Sequence, residues 1–379
     1  GRYIVFVSDG TNLVTGDTNG QADIFIHDRS TNQTSRVSFA HDGGEPNAGS
    51  NNPTTSENAA HVAFMSSASN IIDNDTNSRT DVFLRDLVSG TNEAISVSTG
   101  GALGNENSDL PSISDDGRYV VFESEATNLV AGDTNGTYDI FLRDRQTNTT
   151  TRISTDSTGQ QADGASRCPA ISGNGRYCVF HSAATNLVAG DTNTATDIFM
   201  KDLQTGATTI ISLDNAGGPS DGDSEYPSIN TDGQFVVFES VATDIVAGDT
   251  NGQRDVFRRD TTANITVRAS EKDDGTQGNG TSYNAYVSGD GRYVIFVSWA
   301  SSFDASDNNS VNDVFSYDHV TGIVQIESVS AGGTVASDRS FSPSISRNGN
   351  YISFRSAGNN LVTNDTNGEG DVFCAPRGN

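Results

Sequence analysis

The chain has 379 residues, with 49 acidic against 22 basic side chains and a formal charge of −27 at pH 7. That balance excludes a nucleic-acid binder, which needs clustered Lys and Arg to displace counterions from phosphates, and an anionic membrane surface repels it for the same reason. No apolar run approaches the roughly 18 residues of a membrane span, and three cysteines are too few for a disulfide scaffold. Gly at 39 positions beside only 2 Met and 1 Trp points to many short elements joined by turns. With neither an initiator Met nor a leader, the expectation is a mature chain or a fragment of a longer one.

One segment recurs along the whole chain. Gly117-Arg118-Tyr119-Val120-Val121-Phe122 returns, with small changes, from Gly175, Gly233 and Gly291. The spacing is 58 residues each time, and the same frame places the other starts at Gly1, Ala59 and Gly349. No insertion or deletion interrupts it, as expected of units that pack against copies of themselves. The frame thus predicts a single β domain over residues 1–379.

In chain order, one repeat predicts a strand at Tyr119–Ser124, a second at Asp139–Asp144, a third at Thr151–Ser154 and a fourth at Pro169–Ser172. The fourth joins the next Gly-Arg-Tyr strand through Gly173-Asn174-Gly175, a tight hairpin turn in which Gly and Asn supply positive φ. Four short antiparallel strands and no helical periodicity describe a propeller blade. If the fourth strand is the innermost of the following blade, the chain holds seven blades, and the first and last lack one strand each. The seam of such a ring is then closed by packing alone or by strands outside this sequence. Cys168 and Cys178 flank one hairpin and are expected to face each other, either bridged or as buried thiols.

The run Pro111-Ser112-Ile113-Ser114-Asp115-Asp116-Gly117-Arg118-Tyr119-Val120-Val121-Phe122, followed by Asp139-Ile140-Phe141-Leu142-Arg143-Asp144, resembles the TolB-like or WD40-like (PD40) propeller repeats of bacterial periplasmic and secreted proteins. At repeat level the resemblance covers the whole chain. It implies an all-β propeller of a bacterial secreted, periplasmic or cell-surface protein. It does not imply one activity, because such propellers serve as docking platforms, peptidase domains and lyase scaffolds. The repeats here are longer than those of TolB itself, and seven blades are expected where TolB has six.

Chemistry is best sought in residues that never vary among the seven copies. The loop between the first and second predicted strands reads Asp-x-Asn-x-x-x-Asp throughout: Asp17, Asn19 and Asp23; Asp75, Asn77 and Asp81; Asp133, Asn135 and Asp139; Asp191, Asn193 and Asp197; Asp249, Asn251 and Asp255; Asp307, Asn309 and Asp313; Asp365, Asn367 and Asp371. Oxygen-only side chains at positions 1, 3 and 7 suit Ca²⁺, a hard cation that takes six to eight oxygen ligands. Two carboxylates in one short loop repel unless neutralised, and no Lys or Arg stands at a fixed place inside the loop. The metal-free reading is an Asx turn in which Asp and Asn bond to the nearby backbone. Phe follows two residues after the last Asp, as at Phe141, and is expected to anchor the core. Ser8, Ser66, Ser124, Ser182, Ser240, Ser298 and Ser356 are read as backbone-satisfying hydroxyls, and Asp28, Asp86, Asp144, Asp202, Asp260 and Asp318 as turn caps.

An active site on a pseudo-symmetric ring must break the symmetry. The residues that depart from the consensus, His27, His61, His181, Trp299 and His319, fall at unrelated strand positions. The expectation is therefore a calcium-binding, non-catalytic recognition or assembly module, with a protein or carbohydrate ligand on the loop face. The rival readings are a polysaccharide lyase or glycosidase on the same scaffold, and a structural repeat of an extracellular filament or adhesin.

Overall fold

The computed structural model describes residues 1–272 and 274–378. These residues form 26 strands and no helix. The strands make seven antiparallel sheets, the first and last three-stranded and the five between four-stranded. The protein is a seven-bladed β-propeller with incomplete terminal blades, as the repeat frame predicts. By internal contacts it divides into two compact units, one of residues 2–189 with 200–209, the other of Gly1, 190–199 and 210–379. The first three sheets belong to the former and the last three to the latter.

In the third sheet the order is Ser108–Ile113, Tyr119–Ser124, Asp139–Asp144 and Thr149–Arg152. The two middle strands lie where the sequence puts them. The outer strand begins and ends two residues earlier than expected, because Ser154 leaves the ladder. Its hydroxyl accepts from the Ile140 amide at 3.1 Å and donates to Asp139 at 2.5 Å. The inner strand of the next blade, Ser166–Ile171, starts three residues before the predicted Pro169. Between Arg167 and Ala170 its register shifts, and Cys168 sits in the bulge at φ 52°. The same left-handed residue recurs at Asn52, Leu110, Tyr226, Asn284 and Ser342, so every inner strand carries one bulge. This register corrects the expected cysteine pair: Cys178 stands opposite Ile171, and Cys168 lies in the bulge. Burial pushes the Cys178 thiol up.

Each four-stranded sheet buries a phenylalanine from both middle strands. Phe122 and Phe141 are paired across the ladder, stacked at 5.8 Å and inaccessible to solvent, and Phe238 with Phe257 repeats the arrangement. Burying one such ring removes enough apolar surface to stabilise the fold by roughly 2–3 kcal/mol. Phe141 is thus the core anchor that its invariance indicated.

The hairpin turns link neighbouring blades. The Asp115 amide donates to Gly173 carbonyl at 2.9 Å, and in the other unit the Gly289 amide donates to Arg347 carbonyl at 2.8 Å. Gly175 has φ 72°, and a Cβ there would lie 2.7 Å from the Tyr119 ring. Only one copy of this turn lacks glycine: Ala59 holds the same left-handed conformation at φ 53°. Replacing Ala59 by Gly is expected to stabilise the chain by about 1 kcal/mol, seen as a higher denaturation midpoint, whereas Gly175→Ala lowers it.

A second link, within each blade, closes the same end of the middle strands. Arg118, Arg176 and Arg292 grip Asp144, Asp202 and Asp318 with both guanidinium arms, at 2.7–3.2 Å. The same aspartates cap the following turn, as Asp144 does by accepting from the Gln146 amide at 2.9 Å. The arginine hydrogen bonds hold all three carboxyls at about 2, below the usual carboxylate range of roughly 3.9. These carboxylates therefore contribute fully above about pH 4, and their contribution is lost as pH falls toward 2. Urea midpoints measured from pH 5 to pH 2 should fall less steeply in Asp318→Asn than in the wild type.

Candidate functional site: the acidic loops

Each acidic loop is built around the carboxylate that opens a blade's next strand. In the second blade Asp81 is fully buried, and such a group must be satisfied by hydrogen bonds or a counter-charge. Oδ1 accepts from the Ser96 hydroxyl at 2.7 Å and Oδ2 from the Asn77 amide at 2.6 Å. Ser96 in turn accepts from the Val82 amide at 3.0 Å. Asn77 Oδ1 accepts from the Arg79 amide at 2.9 Å, which is the Asx turn read from the sequence. The Asn77 amide also donates to Gly104 carbonyl at 2.9 Å, so the loop holds the connection to the next blade. Ser38, Ser154, Ser212, Ser270 and Ser328 repeat the role of Ser96 at 2.5–2.6 Å. Sequence reasoning passed over this serine, although it recurs at the same 58-residue spacing.

The structure brings the two aspartates of each of the first six loops into one setting, but it does not treat the blades alike. In blades one, three and five an arginine from outside the loop lies against both carboxylates. Arg36 Nη1 is 3.8 Å from Asp17 and from Asp23; Arg152 Nη1 is 3.4 Å from Asp133 and 3.8 Å from Asp139; Arg268 Nη1 is 3.2 Å from Asp249 and 3.4 Å from Asp255. A side chain from the blade-to-blade connection completes each group. Glu45 accepts from Arg36 at 2.9 Å, Gln161 donates to both Asp133 and Asp139 at 2.9 Å, and Gln277 stands at the same place in the repeat. Looking for a cation only inside the loop missed these arginines.

Blades two, four and six have Ala94, Ile210 and Ile326 in place of the arginine, and Leu103, Pro219 and Val335 in place of the polar connection residue. The pattern therefore repeats every 116 residues, twice the period of the fold. Burial pushes Asp81, Asp197 and Asp313 up to about 6, and the charge of the loop's first aspartate adds to the rise. Asp139 and Asp255 are also raised by burial, but there the facing arginine opposes the shift. Asp75 and Asp307 are 9% and 7% exposed, and the buried Oδ1 of each accepts no hydrogen bond. Among the described residues no three His, Cys, Asp or Glu side chains converge as a metal cluster. Any cation held here would have two carboxylates and otherwise backbone or water oxygens.

The other residues singled out in the sequence are placed as follows. Ser66 and its equivalents satisfy backbone: Ser124 donates to Asn107 carbonyl and accepts from the Ala126 amide, both at 3.0 Å. His27 is hydrogen-bonded to Thr34 at 2.9 Å, His61 lies 3.8 Å from Asp86, and the His319 ring lies 6.3 Å from that of Tyr317. His181 is buried, while Trp299 is partly exposed beside Arg339. These five are spread over blades one, two, four and six. The structure adds two buried glutamates. Glu123 and Glu239 accept the bulge amides of Cys168 and Asn284, both at 2.8 Å, and burial pushes Glu239 up to about 7.

No family model matches the chain, and no curated protein matches it. Solved structures do. A manganese complex of oligogalacturonate lyase aligns over 99% of this chain and 86% of its own, with a TM-score of 0.57 and 12% identity. The β-propeller domain of the Trilobed protease from Pyrococcus furiosus aligns over 94% and 88%, with a TM-score of 0.56 and 10% identity. TolB from Acinetobacter baumannii is also similar, over 95% and 78%, with a TM-score of 0.45 and 15% identity. At these identities the likeness of the first two defines the class of protein by its fold alone, a β-propeller, and no activity.

The buried carboxylate has a measurable consequence. Ser96→Ala leaves Asp81 Oδ1 without its donor, and the expected cost is about 1–3 kcal/mol in a chemical-denaturation curve. Ser89→Ala, at an exposed turn, should change little.

Proposed function

We propose that this protein is a non-catalytic recognition or assembly module whose ligand, a protein or a carbohydrate, docks on the loops that pass from blade to blade. The observation that carries this reading is how those connections are held. On one side the asparagine of the acidic loop bonds their backbone, as Asn135 does to Ala162 carbonyl at 3.2 Å. On the other, a residue of the connection pairs with the next blade. Asp163 accepts from the Thr185 amide at 2.8 Å, and Asn279 accepts from the Ser302 amide at 3.2 Å. Just before these anchors each connection makes the same turn, with glycine at positive φ at Gly43, Gly101, Gly159, Gly217, Gly275 and Gly333. The tips differ in sequence: His41-Asp42, Thr99-Gly100, Ser157-Thr158, Asn215-Ala216. Identical supports presenting different side chains are how specificity is written on a rigid scaffold.

Calcium in the acidic loops and a bacterial secreted, periplasmic or cell-surface location belong to the same proposal. The two support each other: a site with few carboxylates binds Ca²⁺ weakly and fills where the ion is near-millimolar, as in extracellular modules. Among the described residues no helix is long and apolar enough to cross a membrane.

The test is a screen of the intact chain on glycan and peptide arrays, followed by exchange of single tips. Replacing the exposed Thr158 with the Ala found at residue 216 should weaken a hit several-fold while changing the melting temperature little. Steady turnover of oligogalacturonate or of a prolyl peptide, abolished by one substitution, would overturn this reading.

A further inference from the structure

The alternation between blades carries a sharper statement, which rests on the calcium reading above. We propose that the Asp75–Asp81 pair of blade two and the Asp307–Asp313 pair of blade six each bind a hard divalent cation, Ca²⁺, in the role that an arginine guanidinium fills in blades one, three and five.

Three observations converge. First, the loop is the same in all these blades: asparagine, serine and backbone hold the second aspartate alike with or without arginine. The arginine is therefore not what builds the loop; it supplies charge. Second, where it is absent a buried carboxylate oxygen is left without a counter-charge, whereas Asp17 Oδ1, which also accepts no hydrogen bond, has Arg36 at 3.8 Å. Asp75 and Asp307 are more than nine-tenths buried, and Oδ1 of each accepts no hydrogen bond. Buried charges in proteins are paired or coordinate metals. Third, the surroundings of these pairs are more apolar than in the arginine blades. Ala94 and Leu103 stand at the places of arginine and the connection's polar side chain in blade two, and Ile326 and Val335 in blade six. Excluding water raises the cost of two uncompensated carboxylates and strengthens their attraction for a cation.

The donor set favours calcium over softer metals. It offers carboxylate oxygen and, among the described residues, no cluster with histidine or cysteine, and backbone oxygens and water would complete the coordination. In the arginine blades a second cation would meet a guanidinium already 3.2–3.8 Å from the carboxylates.

The experiment titrates the full chain, stripped with chelator, with CaCl₂ while following melting temperature and bound calcium by mass spectrometry of the metal. Four chains are compared: wild type, Asp75→Asn, Ala94→Arg and Asp133→Asn. Calcium should raise the wild-type melting temperature by roughly 2–4 °C per site. Asp75→Asn and Ala94→Arg should each bind one calcium fewer than wild type, and Ala94→Arg should melt no lower than wild type in chelator, because its guanidinium replaces the ion. Asp133→Asn, in an arginine blade, should bind as many calcium ions as wild type. If Asp133→Asn also loses one, every loop binds calcium: the general reading stands and the alternation falls. If the wild type binds none and chelator leaves melting unchanged, both fall, and the pairs are neutralised by protons.

Discussion

The structure turns on one buried carboxylate in each of its first six blades. Asp81 and its equivalents in the first six blades are inaccessible to solvent at the start of a strand, where an unsatisfied charge costs several kcal/mol. A serine from just after the outer strand supplies one donor in all six, and an asparagine four residues upstream supplies a second in every one but blade four, where Asp197 Oδ2 accepts none; each of these donors is also bonded to backbone. The carboxylate is thus the point at which strand, acidic loop, outer strand and outgoing connection meet. An insertion in any of these segments would displace a donor. This accounts for a repeat that keeps its 58 residues without one gap while its loop tips change freely.

Satisfying the second aspartate leaves the first to be neutralised, and here the blades divide into two kinds. Arg36, Arg152 and Arg268 bring a positive charge from the outer strand or its end, together with a polar side chain from the connection; Ala94, Ile210 and Ile326 bring none. Two solutions to one electrostatic problem alternate along the chain. The pairing makes two blades the chemical unit of a fold whose geometric unit is one.

Much of this was legible in the sequence, because the fold repeats and the eye needs only recurrence. The blade number, the incomplete terminal sheets, the two middle strands, the phenylalanine anchors and the Asx turn at Asn77 all follow from the 58-residue frame. The strand ends at Thr151 and Pro169 were misplaced for a local reason: Ser154 substitutes a hydroxyl for the ladder, and the bulge at Cys168 lengthens the inner strand. The serine partner escaped notice because Ser is common and lies far from the loop in sequence. The arginines escaped because comparing copies selects what all share, whereas Arg36, Arg152 and Arg268 are shared by alternate copies only. Whether oxygen atoms so arranged meet arginine, proton or metal depends on tertiary neighbours that periodicity does not display.

The most direct measurement is an anomalous difference map from crystals grown in millimolar CaCl₂. Peaks between Asp75 and Asp81 and between Asp307 and Asp313, with none beside Arg36, Arg152 or Arg268, are the predicted result. Peaks at the arginine pairs, or no peak at any acidic loop, would contradict it.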